Sequence, residues 1–194
     1  MKYQDAIAKL DGYRGQIAAI RADMRRVQAE IEPQEIADYS FETANGPARL
    51  SDLFGRHDDL IVILNMGANC PYCTLWADGY NGVYPHLASR AAFVLASPDA
   101  PDRQSKFAAS RGWRFPMVSH RGSAFARDMG YTNDEGAFAP GICAFQRRGG
   151  KLYRVSNYSG AGPGDEFSPV YHLFDLLPEG TGDWSPTFKY PAQG

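Results

Sequence analysis

The sequence predicts one α/β domain preceded by a long helix, and three observations support this. With 194 residues, 44% of them hydrophobic, the chain can fill one core but is too short for two well-filled domains without visible linkers. Apolar segments of strand length alternate with helical stretches, and right-handed crossovers then make the first strands of a sheet parallel. The apolar segment 60–64 leads through a short Gly/Asn turn into the tetrapeptide 70–73, Cys-Pro-Tyr-Cys, at the start of a helix.

The N-terminal segment 3–31 is predicted to be helical, because it contains no proline before Pro33 and its apolar residues recur at spacings of three and four. These residues form a heptad seam over three repeats: Leu10, Tyr13, Ile17, Ile20, Met24, Val27 and Ile31. The seam has two interpretations, a homodimer through this helix or an amphipathic helix lying across its own domain. In a parallel dimer the flanking positions would place Lys9 near Arg14, which gives no attractive charge pattern.

The remaining elements follow from turn residues and apolar periodicity. Extended pieces at 35–43 and 48–53 flank an Asn-Gly-Pro turn, and a brief helical turn precedes the buried strand 60–64. We then expect the helix after Cys70, a second helical stretch 83–90, strand 91–97, helix 101–112, strand 115–119, a short helix 123–129, a hairpin of 141–147 with 152–156, and a final helix 169–177. The domain organisation is therefore an N-terminal helix (1–34), the α/β domain (35–178) and a Gly/Pro-rich surface tail (179–194).

Composition excludes two classes of partner. Twenty Lys and Arg residues stand against 22 Asp and Glu, the net charge is −2 and the pI is near 6.1, so no basic stripe for nucleic acid is expected. The N-terminus has no apolar signal-peptide region, and no run approaches the ~20 apolar residues of a membrane span. We therefore expect a cytoplasmic protein, in which two closely spaced cysteines indicate redox or metal chemistry rather than a structural disulfide.

The tetrapeptide itself suggests the chemistry. Pro71 suits the first helical position, so Cys70 falls at the helix N-terminus, where free N–H groups and the helix dipole favour a thiolate. A dipole contribution of up to about 2 kcal/mol lowers the pKa of a thiol by roughly one and a half units, from about 8.5 to about 7. Cys70 is the predicted nucleophile, and Cys73, one turn further along, is the predicted resolving thiol.

Two other uses of these cysteines compete with disulfide exchange. A structural zinc site needs four ligands, and the two that Cys70 and Cys73 leave open could come only from Cys143 and one histidine: His57, His86, His120 or His172. Cys143, however, lies in a predicted strand and is expected to be a small buried hydrophobic residue. A thiol peroxidase shares the need for an acidic cysteine. The peroxiredoxin pattern, however, has a proline seven and a threonine three residues before its nucleophile, and those places hold Ile63 and Gly67 for Cys70, and Met66 and Cys70 for Cys73.

Longer sequence words identify a resemblance. The tetrapeptide with Leu75-Trp76-Ala77-Asp78, followed by Pro85-His86-Leu87, Gly112-Trp113-Arg114-Phe115-Pro116, Tyr158-Ser159 and Phe174-Asp175-Leu176-Leu177-Pro178, resembles the bacterial thioredoxin-like family catalogued as domain of unknown function 899. Members are described as dithiol-disulfide oxidoreductases. The resemblance covers about 37–178 and implies a thioredoxin-like fold, a central mixed sheet flanked by helices, with a thiol or disulfide substrate of protein or small-molecule type and no cofactor or metal.

The superfamily resemblance also implies supporting residues near the cysteines. Pro140, preceded by Ala139, matches the position at which thioredoxin-like proteins hold a cis-proline beside the disulfide, although an ordinary trans proline is the alternative. The tetrapeptide is typical of glutaredoxins, but its flanks are not, so the use of glutathione stays open. Pro71, Tyr72 and Trp76 are expected to support the site. For Asp78, a role as proton acceptor for Cys73 competes with that of a solvated helix acid.

Overall fold

A computed structural model describes residues 1–191 and divides the chain into two compact units, residues 1–33 and the part from Gln34 onward. The first unit consists mainly of helix α1 (Tyr3–Glu30), at the predicted position. No residue of α1 is buried, and the apolar seam residues from Leu10 to Ile31 are between 44% and 64% exposed.

The second unit is built on an eight-stranded sheet in the order β1-β8-β7-β4-β5-β6-β2-β3. Strands β4, β5 and β6 are parallel to one another, whereas β7 pairs with β4 and β8 with β7 in antiparallel register. The predicted parallel centre with a hairpin at its side is therefore present. The strands are β1 (Gln34–Ile36), β2 (Ser40–Thr43), β3 (Gly46–Arg49), β4 (Asp59–Leu64), β5 (Ala92–Ser97), β6 (Met117–Ser119), β7 (Gly141–Arg148) and β8 (Lys151–Tyr158).

The helices of this unit are α2 (Pro71–Arg90), α3 (Pro101–Arg111), α4 (Phe125–Asp128) and α5 (Pro169–Phe174), with a 3-10 helix at Leu50–Phe54. The two predicted helical stretches after Cys70 form the single helix α2, which continues through Pro85. A proline inside a helix leaves the carbonyl four residues earlier without its N–H partner. Here Nη2 of Arg114 donates to that carbonyl, Asn81 O, at 3.1 Å, so the carbonyl keeps a hydrogen-bond partner.

Strand β4 is buried on both faces, as its apolar sequence predicts for a central strand. Leu60, Val62 and Leu64 belong to one hydrophobic cluster, and Ile63 belongs to a second cluster on the opposite face. Helix α2 contributes Trp76 to the second cluster, together with Ala77 and Tyr80. The packing fixes the start of α2 at the carboxyl end of β4.

The segment after α5 contains no helix or strand within residues 179–191, but its aromatic side chains make contacts. The Trp184 ring packs edge-on against Phe174, with ring centroids 4.9 Å apart. The carbonyl of Phe188 accepts a hydrogen bond from Arg111 Nη1 at 2.8 Å. Residues 192–194 of the predicted tail lie outside the described residues.

None of the helices within residues 1–191 has both the length and the apolar character needed to cross a bilayer.

Candidate redox site

A short loop connects β4 to Cys70, and two buried or half-buried polar side chains hold it. Asn65, 6% exposed, accepts a hydrogen bond from Gly67 N at 2.7 Å and donates to the Cys73 carbonyl at 3.1 Å. Asp99 Oδ2 accepts from Ala68 N at 2.7 Å. Gly67 has a φ of 101°, and a Cβ there would lie 2.7 Å from Asp99 Oδ2, so only glycine fits this turn without rearrangement.

Cys70 caps the N-terminus of α2, and Pro71 occupies the first turn as predicted. The Cys70 sulfur accepts a hydrogen bond from Cys73 N at 3.1 Å, which satisfies one of the free N–H groups of the helix start. Both thiols are free, and the two residues are 9% and 3% exposed. The arrangement leaves Cys70 the more accessible member of the pair.

The two thiols are electrostatically distinct. The pKa of Cys70 is lowered from 9.0 to about 7, mainly by the hydrogen bond from the Cys73 side chain; burial opposes this shift, and the N–H groups of Cys73 and Tyr72 contribute to it. The same side-chain interaction, together with burial, raises the pKa of Cys73 far above its ordinary value. Cys70 is therefore half ionised near pH 7, while Cys73 stays protonated.

The Cys70–Cys73 pair opens on an apolar cavity of about 290 Å³. Trp76 forms part of its wall, and Trp76 Nε1 donates to Asp165 Oδ2 at 2.8 Å. Asp165 is 6% exposed and also accepts hydrogen bonds from Gly162 N and Phe167 N. The lining residues are Met66, Cys70, Tyr72, Cys73, Leu75, Trp76, Pro140, Ala161, Gly162, Pro163, Asp165 and Tyr171.

Five sequence-predicted site residues are thus brought together at the cavity: Cys70, Tyr72, Cys73, Trp76 and Pro140. Ala139 lies just outside the lining, where its N–H bonds the Tyr131 carbonyl at 2.9 Å. The peptide bond before Pro140 is trans, which corrects the cis expectation. Trans is the lower-energy form of such bonds by about 0.5–1 kcal/mol.

Asp78 does not belong to this cavity. Its carboxylate forms an ion pair with Arg111 and accepts a hydrogen bond from Trp113 Nε1 at 2.8 Å. Because both oxygens are engaged there, the suggested role of proton acceptor for Cys73 finds no support in its contacts. The residue joins α2 to α3 and the loop after α3.

Sequence reasoning missed four residues of the site: Asn65, Asp99, Asp165 and Tyr171. Asn65 and Asp99 each follow a strand of the parallel centre closely, and polar residues at that edge were a usable signal. Asp165 offered only a weak one, because it is one of two adjacent acids, with Glu166, that follow the Gly/Pro-rich segment 160–164.

The structure does not assemble a metal site from the described side chains. Within residues 1–191, no three His, Cys, Asp or Glu side chains meet as ligands would. Cys143 lies fully buried in the hydrophobic cluster of Leu60 and Val62, where burial raises the pKa of its thiol to about 11. The zinc alternative required Cys143 beside Cys70 and Cys73, and these three side chains form no such group in the described part of the chain.

Sequence comparison places the chain in a family. Residues 9–191 match the model described as "Bacterial protein of unknown function (DUF899)". The chain belongs to the DUF899 family. No curated protein matches the sequence of this DUF899 protein.

Solved structures that resemble the DUF899 protein are thioredoxin-like. Peroxidoxin BcpB from Mycobacterium tuberculosis superposes with a TM-score of 0.53 at 24% identity, covering 66% of this chain and 84% of that one. A cysteine-to-serine mutant of PrxQ from Xylella fastidiosa gives 0.52 at 15% identity, covering 65% and 83%. Peroxiredoxin Q from Xanthomonas campestris gives 0.50 at 19% identity, covering 62% and 82%. These similarities establish the fold of the DUF899 protein as thioredoxin-like.

Proposed function

We propose that this protein is a thiol-disulfide oxidoreductase in which Cys70 is the nucleophile and Cys73 the resolving thiol. The observation that carries the proposal is the asymmetry of the pair at the start of α2. The Cys70 sulfur accepts the Cys73 N–H at 3.1 Å and its thiol has a pKa lowered to about 7, whereas the pKa of Cys73 is raised. One thiol is ready to attack while its neighbour holds its proton.

The first step is attack of the Cys70 thiolate on one sulfur of a substrate disulfide. A bond forms between that sulfur and Cys70 Sγ, the substrate S–S bond breaks, and the other half leaves as a thiolate. Cys70 Sγ then no longer carries the negative charge that accepts the hydrogen bond from the Cys73 thiol. Since that hydrogen bond is the largest contribution to the raised pKa of Cys73, the Cys73 thiol becomes easier to deprotonate at this stage.

In the second step Cys73 gives its proton to a leaving thiolate or to water and attacks Cys70 Sγ. The mixed disulfide breaks, the second substrate half leaves, and a Cys70–Cys73 disulfide remains. The substrate has gained two electrons, and two protein thiols have been oxidised. A dithiol reductant such as dithiothreitol regenerates the pair in the test tube.

Stoichiometry with 4,4′-dithiodipyridine tests the mechanism, because each released half of this uncharged disulfide absorbs light. We expect the native chain to release two thiopyridones and retain no adduct. Cys73→Ser should release one and carry the other half on Cys70, as mapped by peptide mass spectrometry. Cys70→Ser is the matched control and should lack the fast release.

Two results would contradict the proposal. An adduct on Cys73 or Cys143 in place of Cys70 would assign the wrong nucleophile. Faster oxidation of the pair by hydrogen peroxide or cumene hydroperoxide than by the disulfide, at equal concentration, would favour the thiol peroxidase instead.

A further inference from the structure

The cavity beside Cys70 has features that restrict what it binds. Most of its wall is apolar, with Met66, Leu75, Trp76, Pro140 and Ala161 among the lining side chains. Its volume of about 290 Å³ is at the lower end of small-ligand pockets, which is room for an aromatic ring or a short aliphatic group. An apolar group attached to the reacting sulfur would fill it.

The charge of the cavity is equally selective. Apart from the reacting Cys70 thiolate, Asp165 is the one charged side chain among the described residues that line the cavity, and it lies in the wall at 6% exposure. Its oxygens hold Trp76 Nε1 and two backbone N–H groups, so the carboxylate is fixed in place. An anionic substrate would be desolvated beside this carboxylate with no cation in the lining to compensate, which is unfavourable.

We infer that the substrate of this site is an uncharged organic disulfide, one half of which is apolar and occupies the cavity. The inference rests on the proposed exchange reaction at Cys70. It disfavours glutathione disulfide, because each half of that molecule carries two carboxylates.

Two aromatic disulfides of opposite character test the charge argument: uncharged 4,4′-dithiodipyridine and dianionic 5,5′-dithiobis(2-nitrobenzoate). The rate of the first exchange step is measured with each and divided by the rate with an unstructured cysteine peptide, which removes the difference in leaving group. We expect the protein to favour the uncharged probe by roughly tenfold relative to the peptide, the equivalent of one unfavourable charge contact.

A matched pair of substitutions at Met66 isolates the charge. Met66 lines the cavity, is 40% exposed and lies outside the tetrapeptide, so polar side chains of similar length are tolerated there. Met66→Lys should shift the preference toward the dianionic probe by roughly threefold or more, and Met66→Gln should leave it unchanged. Because the readout is a ratio of two probes, a change in the reactivity of Cys70 itself cancels.

The outcomes separate the two proposals. Equal normalised rates for the charged and uncharged probes, with normal adduct formation on Cys70, would overturn the substrate class and leave the exchange mechanism in place. No fast reaction of Cys70 with either probe would overturn the exchange mechanism itself.

Discussion

Removing the Cys73 side chain tests the origin of the acidity of Cys70. In Cys73→Ala the largest contribution to the lowered pKa of Cys70 is lost, while the N–H groups of residues 72 and 73 remain. We therefore expect the pKa of Cys70 to rise from about 7 to a value between 7 and the ordinary 9.0. The pH at which the exchange rate is half maximal should move upward accordingly.

The size of the effect on rate follows from two opposing factors. At pH 7 a thiol of pKa 7 is half ionised and one of pKa 9 is about 1% ionised, a difference of about 50-fold in thiolate. Nucleophilicity falls with pKa with a Brønsted slope of about 0.4–0.5, so two pKa units reduce the reactivity of each thiolate about six- to tenfold. The net advantage of native Cys70 at pH 7 is then at most about five- to eightfold.

These factors predict a crossover that a structural defect would not produce. Near pH 7 the variant should react more slowly than the native chain, and above pH 9, where both thiols are ionised, it should react faster. The assay is the first-step rate with 4,4′-dithiodipyridine from pH 6 to 10, with the adduct mapped to Cys70. A variant that is slower at every pH, or whose midpoint is unchanged, would refute the assignment of Cys73 as the main cause.

Three further predictions concern the stability of the fold and the assembly state of the chain. A Cβ at Gly141 would lie 1.8 Å from the Tyr131 ring, so Gly141→Ala should lower the free energy of unfolding by about 1–3 kcal/mol or more. Gly79 lies within α2 in open space, so Gly79→Ala should raise the free energy of unfolding by up to about 1 kcal/mol. Denaturant titration of both variants checks this, and equal effects would contradict it. Arg114→Ala leaves the Asn81 carbonyl without its partner, and we expect faster amide exchange in the turns around Pro85 and a loss of about 1 kcal/mol, with the exposed Arg56→Ala as control. The exposed seam of α1 remains a predicted dimerisation surface. The full chain should sediment as a dimer, and a chain truncated before Glu32 should sediment as a monomer. An assembly state that truncation does not change would show that the helix has no such role.

The position of Cys70 at a helix start was predictable because its signals are local. An apolar run of strand length, a turn and a proline after the first cysteine lie within fifteen residues, and short-range geometry places Cys70 at the helix start from these alone. The same holds for the hairpin of β7 and β8, whose two glycines have positive φ as the turn requires.

The cavity was not predictable, because its walls meet only in three dimensions. Trp76 and Asp165 are joined by a buried hydrogen bond across 89 residues of sequence, and no local pattern marks either as the partner of the other. Asp78 is a residue that the sequence did single out, but for the wrong contacts. Its position near the cysteines was visible in the sequence, but its partners Arg111 and Trp113 lie more than thirty residues further along the chain.

The unequal acidity of the two thiols also affects how the driving force for electron transfer varies with pH. Reduction of a disulfide takes up two protons below the pKa of the more acidic thiol and one above it, so the potential falls by about 59 mV per pH unit and then by about 30 mV. For this protein the change comes near pH 7, and the protonated Cys73 adds no second change in the neutral range. The reduction potential of a partner with ordinary thiols keeps falling at the steeper rate up to about pH 9. At that pH the partner's potential has dropped by roughly 50 mV relative to that of the Cys70–Cys73 disulfide, so the partner is the stronger reductant by that amount than at pH 7. Under the proposed exchange reaction, mild alkalinity therefore shifts the equilibrium toward transfer of electrons from such a partner to the Cys70–Cys73 pair.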